Sequence, residues 1–397
     1  MPTTATRDAR SIGMRFVVFL GIVSLFADMT YEGARSVYGP FLGSLGAGAF
    51  LISIIAGAGE LLGYGLRLLS GRLTDKTGRY WPLAIAGYLV NLLSVPALAL
   101  TSSWPAAAAL VIGERAGRAI RNPPRDAMLS HASHQIGRGW GFGLHEAMDQ
   151  TGALIGPLLV ALVLARSGNY RHGFAMLLAP ALLSLLVLLL ARRQFPHPQK
   201  LEPQMATPAG SRALAPGFWI YAFGAGLIAA GFADFALIAF HFARRGVFST
   251  SAIPLTYALG MGSAAIAALL FGRLFDRVGL ISTALGVLVA AAFAPLVFLG
   301  NTRWALAGVA LWGLGLGIQE SALRARLAAL VPAERRASAY GLFDFIFGIC
   351  WFAGSAVMGI LYTRSLVALV IFSIATQVIS LPLLLWKGTS RASQPVS

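Results

Sequence analysis

Nine of the fifteen acidic residues fall inside long apolar stretches: Asp28, Glu32, Glu60, Glu114, Glu146, Asp149, Asp234, Glu320 and Asp344. A charge at the centre of a membrane-spanning helix costs about 2.5–3.5 kcal/mol on insertion scales, so nine left unpaired would cost on the order of 20–30 kcal/mol. They must be paired, protonated or wet. A scaffold would use leucine, so the acids point to a water-lined path. Static salt bridges between helices are the competing reading for any single residue.

Spacing sorts the charges into faces. Asp28, Glu32 and Arg35 stand at i, i+4 and i+7 and share one face of a helix. Glu60, Tyr64 and Arg67 repeat that spacing, and Glu114, Arg118 and Arg121 form a third stripe, with Arg115 turned about 100° away. His145, Asp149, Gly152 and Gly156 share a fourth face. A carboxyl that carries protons must load and release near working pH, and both burial and a neighbouring acid favour loading. Asp28, with Glu32 one turn away, is the first candidate, while Glu32 is expected to stay paired with Arg35. Asp234 and Asp149 follow. Arg35, Glu60, Glu114, Arg115, Glu146 and Asp344 are the expected substrate path. His131 and His134 have no third ligand in sight, no phosphate-binding loop occurs, and no arrangement suits nucleophilic catalysis. The sequence therefore predicts no enzyme activity, no metal and no cofactor.

Of the 397 residues, 57% are hydrophobic and only 12% charged, against about 25% charged in soluble domains. A backbone in lipid must satisfy its own hydrogen bonds, which leaves helices or a closed barrel, and runs such as 174–190 lack the alternation of a barrel strand. The expected fold class is all-α: a polytopic membrane protein of twelve transmembrane helices in two pseudo-symmetric six-helix bundles. The segments are 14–38, 50–70, 80–100, 104–120, 140–165, 170–190, 218–242, 252–271, 280–300, 304–323, 338–361 and 366–386, each near the roughly 20 residues a span needs. They divide the chain into an N-terminal half (1–191), a proline-rich linker (192–217) and a C-terminal half (218–397). The N-terminal apolar run is read as an uncleaved first helix, because Asp28, Glu32 and Arg35 follow it.

The net charge of +16 raises the question of nucleic acid, and its placement answers it. Twenty-three of the thirty-one Lys and Arg fall in the termini, the linker and alternate loops, against six on the opposite side. That asymmetry predicts cytoplasmic termini and linker in a bacterial inner (plasma) membrane, with lipid and not nucleic acid as the partner. Cys350 is the single cysteine, so no internal disulfide forms.

The halves repeat. Gly71-Arg-Leu-Thr-Asp75-Lys-Thr-Gly78 matches Gly272-Arg-Leu-Phe-Asp276-Arg-Val-Gly279, Phe26-Ala-Asp28 matches Phe232-Ala-Asp234, and the stretch from Arg138 to Glu146 matches that from Arg336 to Asp344. The offsets are 201, 206 and 198. Parallel halves place a binding site at their interface, near the midplane.

At these residues the chain resembles the major facilitator superfamily over nearly its whole length. The loop signature G-x-L-x-D-[RK]-x-G-R-[RK] is met at Gly71, Leu73, Asp75, Lys76, Gly78 and Arg79, with Tyr80 in place of the last base. Gly152-x-x-x-Gly156-Pro157 is similar to the start of the antiporter motif, whose closing glycines are here Val160 and Ala161. The resemblance implies a secondary transporter working by alternating access as a monomer, of the drug/proton antiporter branch, exporting a small organic solute in exchange for protons. Proton-coupled uptake and a non-transporting receptor or assembly factor on the same fold are the alternatives. It also implies a conformational latch: Asp75 facing the N-terminus of the eleventh helix, Asp276 that of the fifth by symmetry, and Arg79 paired with Asp126. Gly152, Gly156 and Pro157 are expected to permit close packing and a bend.

Overall fold

The computed structural model describes residues 4–133, 136, 138–201, 216–330 and 336–386. All regular structure among them is helical, with seventeen α-helices and two short 3-10 turns. Among the described residues ten segments are long and apolar enough to cross a bilayer: Arg10–Arg35, Ala49–Thr74, Tyr80–Leu100, Leu144–Ser167, Tyr170–Gln194, Pro216–Arg245, Ile253–Phe271, Leu280–Phe298, Gly341–Arg364 and Leu366–Leu385. Two others expected to span, α5 (Trp104–Ser133) and α14 (Thr302–Glu320), have the length but not the apolarity. α5 carries six charges between Glu114 and Asp126, and α14 is diluted by glycine, tryptophan and polar ends.

Five expected helices are interrupted, one of them only near its end, at Ser321 between α14 and α15 (Ala322–Leu330); of the other four breaks, three share a cause. α1 (Thr4–Arg35) gives way to α2 (Tyr38–Ser44) just before Pro40. α7 (Tyr170–Met176) and α8 (Leu178–Gln194) part at Leu177, ahead of Pro180. α12 (Leu280–Ala291) and α13 (Phe293–Phe298) part at Ala292, ahead of Pro295. Proline lacks an N–H and its ring crowds the carbonyl four residues back, which is where each helix yields.

The fourth break has no proline. α9 (Pro216–Gly231) stops, residues 232–234 leave the helix, and α10 (Phe235–Arg245) begins with Asp234 as its cap, Oδ1 accepting from the Ala236 N–H at 2.9 Å. Freed carbonyls in an apolar interior need donors. The Ser373 hydroxyl donates to the Gly231 carbonyl at 2.6 Å and the Trp312 indole N–H to that of Ala233 at 2.9 Å.

Four seams bring the two halves of the sequence and their neighbours together: α1 against α6 (Arg138–Ser167), α6 against α11 (Ile253–Val278), α3 (Ala49–Thr77) against α16 (Arg336–Arg364), and α2 against α10. In two of them backbones touch. A Cβ at Gly156 would stand 2.4 Å from the Met29 carbonyl oxygen, and one at Gly39 only 1.9 Å from that of Ala236.

Candidate functional site

The face of α1 that carries Asp28, Glu32 and Arg35 is buried and meets α5, α3 and the broken α9–α10 segment. Arg35 pairs with Glu32 (3.7 Å), with Glu60 of α3 (3.1 Å) and with Asp234 in the break before α10 (3.5 Å). Glu32 takes a second guanidinium, Arg118 of α5, at 3.5 Å, and a hydrogen bond donated by the Tyr257 hydroxyl of α11. Glu60 is held by Arg35 and by Arg115, and Arg115 also reaches Glu114 at 3.5 Å. Glu114 accepts from the Asn91 amide at 2.9 Å. The result is one connected network of four carboxylates and three guanidiniums. Two of its links, Arg35–Asp234 and Tyr257–Glu32, join the first half of the sequence to the second.

One turn nearer the amino terminus lies a second cluster. Arg121 is fully buried, 3.9 Å from Asp28, and its guanidinium lies over the rings of Tyr88 (4.4 Å) and Tyr31 (5.5 Å). A guanidinium stacked on aromatic faces is a low-cost way to hold a cation away from water. Asp149 of α6 is half-buried, and its Oδ1 has no hydrogen-bond partner among the described residues. α6 approaches α1 here through Gly152, whose Cβ would meet the Leu25 carbonyl oxygen at 2.1 Å and the Asp28 Cβ at 3.1 Å. His145 is buried one turn below, its Nε2 2.8 Å from Ser24 Oγ.

The remaining expected site residues scatter. Glu146 is exposed on α6 and accepts a hydrogen bond from its neighbour Gln150 at 2.9 Å. Asp344 is half-buried on α16. Gly78 closes α3 in the left-handed conformation (φ 61°), its N–H donating to the Thr74 carbonyl, and a Cβ at Gly71 would stand 3.8 Å from Pro123. Arg79 is exposed, and Asp126 pairs with Arg125 at 2.8 Å, so the expected Arg79–Asp126 pair is not formed. The side chains of Asp75 and Asp276, on which the latch depends, lie outside the described residues. Gly152 and Gly156 bring α6 against α1.

Sequence reasoning did not place Arg118, Arg121 and Tyr257 in the site. The stripe at Glu114, Arg118 and Arg121 was a usable signal for the first two. A lone tyrosine in an apolar segment carries none. Among the described residues, no group of three His, Cys, Asp or Glu side chains is placed to hold a metal ion.

The arrangement suits a task in which charges exchange partners while two bodies move, because every link is a salt bridge or hydrogen bond that a proton or a charged solute can replace. The chain is similar to several known proteins. An uncharacterized protein of Mycobacterium tuberculosis is 41% identical over 383 residues, covering 95% of this chain and 93% of its own. An MFS-type transporter of Methanocaldococcus jannaschii is 32% identical over 37% of this chain and 36% of its own, and the multidrug resistance protein MdtH of Photorhabdus laumondii is 27% identical over 38% and 37%. Among solved structures, a bacterial homolog of the human lysosomal transporter Spinster, inward-facing and occupied, superposes with a TM-score of 0.72 at 16% identity, covering 94% of both chains. A mutant of the nucleoside transporter NupG gives 0.76 at 13% identity, over 93% of this chain and 99% of that one. The sequence pattern of the Major Facilitator Superfamily matches residues 20–355, and the chain belongs to that superfamily.

Proposed function

We propose that this protein is a proton-coupled exporter of a small organic solute. It works as a monomer of two six-helix halves, residues 1–191 and 218–397, rocking about a shared site, with α5 and α14 completing twelve spans. The linker 192–217 and both termini face the cytoplasm of a bacterial cell. Asp75 and Asp276 serve as charge–dipole latches on the cytoplasmic side.

The observation that carries the reading is the pair of links across the sequence, Arg35–Asp234 and Tyr257–Glu32, at the centre of an otherwise apolar protein. Each link costs burial of charge that hydrophobic residues would avoid, which makes sense where the links must break. Protonation of Asp28 releases Arg121, and a solute that binds Arg35 or Glu32 competes with the second half for it. Export as the direction is supported by the partial likeness to multidrug resistance proteins and by the Gly152-x-x-x-Gly156-Pro157 segment.

The test is transport in reconstituted vesicles under an imposed pH gradient, screened across solute classes. Solute moving against its own gradient while the pH gradient collapses is the expected result. A protein that moves no solute and never dissipates the gradient would instead be a non-transporting member of the superfamily.

A further inference from the structure

The charged network is not buried evenly. The side chains of Glu32, Glu114, Asp234 and Arg115 are 6%, 3%, 3% and 5% exposed, whereas Glu60 is 12% and Arg35 and Arg118 are 17% and 16% exposed. A narrow cleft between α3 and α5 opens onto its more exposed members. Three guanidiniums line it (Arg67, Arg115 and Arg118) and one carboxylate, Glu60, which is already shared between Arg35 and Arg115. The surface a solute meets is therefore cationic, although the network as a whole is not.

The cleft also has an aromatic side. Tyr64 lines it and stands edge-on to Phe347 of α16, with centroids 6.2 Å apart and planes at 83°. Phe347 continues the row to Phe343 at 6.0 Å and Trp351 at 5.8 Å. On that helix Trp351 Nε1 and Ser355 Oγ are buried with no hydrogen-bond partner among the described residues. Buried donors of this kind are rare and call for an explanation. One half of the sequence thus supplies guanidiniums to the cleft, and the other a row of buried rings behind Tyr64, with spare donors.

We propose that the cleft between α3 and α5 receives the anionic head of an amphipathic organic acid, whose flat apolar body lies along the Phe347–Trp351 wall of α16. This names the substrate class of the proposed transporter and rests on that reading. Entry is an exchange of carboxylates: the solute's head takes the guanidinium fork that Glu60 occupies, which explains why the cleft is narrow while Glu60 fills it. Guanidinium is suited to this because its planar donors take a carboxylate in a two-pronged geometry. A cationic solute would have to pass three guanidiniums to reach acids that are already paired, and like charges at that range repel.

The experiment is equilibrium dialysis on the purified full-length protein in lipid nanodiscs, corrected against empty nanodiscs, at equal pH throughout. The probes are labelled 1-naphthoate, 1-naphthamide and 1-naphthylmethylammonium, which share a ring system and differ in charge. Naphthoate is expected to bind about tenfold or more tighter than the amide, as a charge-assisted hydrogen bond requires, and the ammonium weakest. Arg118→Gln is expected to remove that preference and leave the amide's weak binding in place, while Trp351→Ala weakens both. Equal binding of the three probes, preference for the ammonium, or binding of none would overturn the proposal, on the wild-type protein alone and whether or not a variant folds. No gradient is involved, so a protein that binds naphthoate but moves no solute refutes the transport reading and leaves this one standing.

Discussion

Tyr257 donates a hydrogen bond to Glu32 although the two residues lie 225 positions apart. Both are buried, and Glu32 is at the same time the partner of Arg35 and Arg118. The phenol is thus a direct hold of the second half of the sequence on the central network. Tyr257→Phe keeps the ring packing against Phe235 and Trp312 and removes only the donor. A hydrogen bond to a charged group is worth about 1.5–3 kcal/mol, so the variant is expected to populate the arrangement seen here less. Spin-label distances across the α3–α16 seam check this; an unchanged distribution would show that the bond carries no conformational weight.

The proton site is tested at Asp28. Asp28→Asn keeps the size of the side chain and removes the charge that faces Arg121 at 3.9 Å. Uphill transport driven by a pH gradient is expected to be lost, while exchange of solute for solute without a gradient persists in part. Full uphill transport with unaltered pH dependence would move the assignment to Asp149, whose buried Oδ1 lies on the facing helix.

Arg35 holds three carboxylates on three elements, and its removal strands them. Breaking a buried ion pair from one side costs about 3–5 kcal/mol. Arg35→Gln is expected to lower the unfolding temperature in detergent, and Arg35→Gln combined with Asp234→Asn to recover part of the loss. Strictly additive losses would mean that the two residues, 3.5 Å apart, are not energetically coupled.

Gly156 and Gly63 make a matched pair for packing. A methyl at Gly156 meets the Met29 carbonyl oxygen at 2.4 Å, whereas one at Gly63 meets nothing within 4 Å. Gly156→Ala is expected to destabilise by about 1–3 kcal/mol, the range for overpacked sites, and Gly63→Ala to be neutral. Thermal denaturation of the two in parallel decides it; equal stabilities would mean that α1 and α6 do not depend on close approach.

Topology is checked with reporter fusions at Gly210 and Gly300. The charge asymmetry predicts the first in the cytoplasm and the second on the opposite side. Activity of the same kind at both positions would exclude the twelve-span arrangement.

What could be read from the sequence was what helical periodicity controls. Asp28, Glu32 and Arg35 share a face because a turn of helix puts them there, and the Glu32–Arg35 pair follows from that spacing. Links between helices were beyond reach: nothing along the chain joins Arg115 to Glu60, or Tyr257 to Glu32. Three helix breaks were announced by Pro40, Pro180 and Pro295, but the last two were hidden in apolar runs that read as continuous spans, and the first lay just past its span. The break at residues 232–234 had only the weak signal of Gly231 followed by a capping aspartate.

The charge density of α5 has a consequence for how the protein is made. Taken alone this helix is a poor candidate for insertion, since Arg115, Arg118 and Arg121 sit in its middle. Their counter-charges, Asp28, Glu32 and Glu60, belong to α1 and α3, which leave the ribosome earlier. In the proposed twelve-span arrangement the arginines would therefore arrive at a membrane in which their acids already wait, and α5 would enter against helices and not against lipid. Asp234 and Tyr257 are synthesised later still. Most of the network thus belongs to the nascent first half, and a ribosome stalled before residue 216 would already hold the Glu60–Arg115 and Asp28–Arg121 pairs.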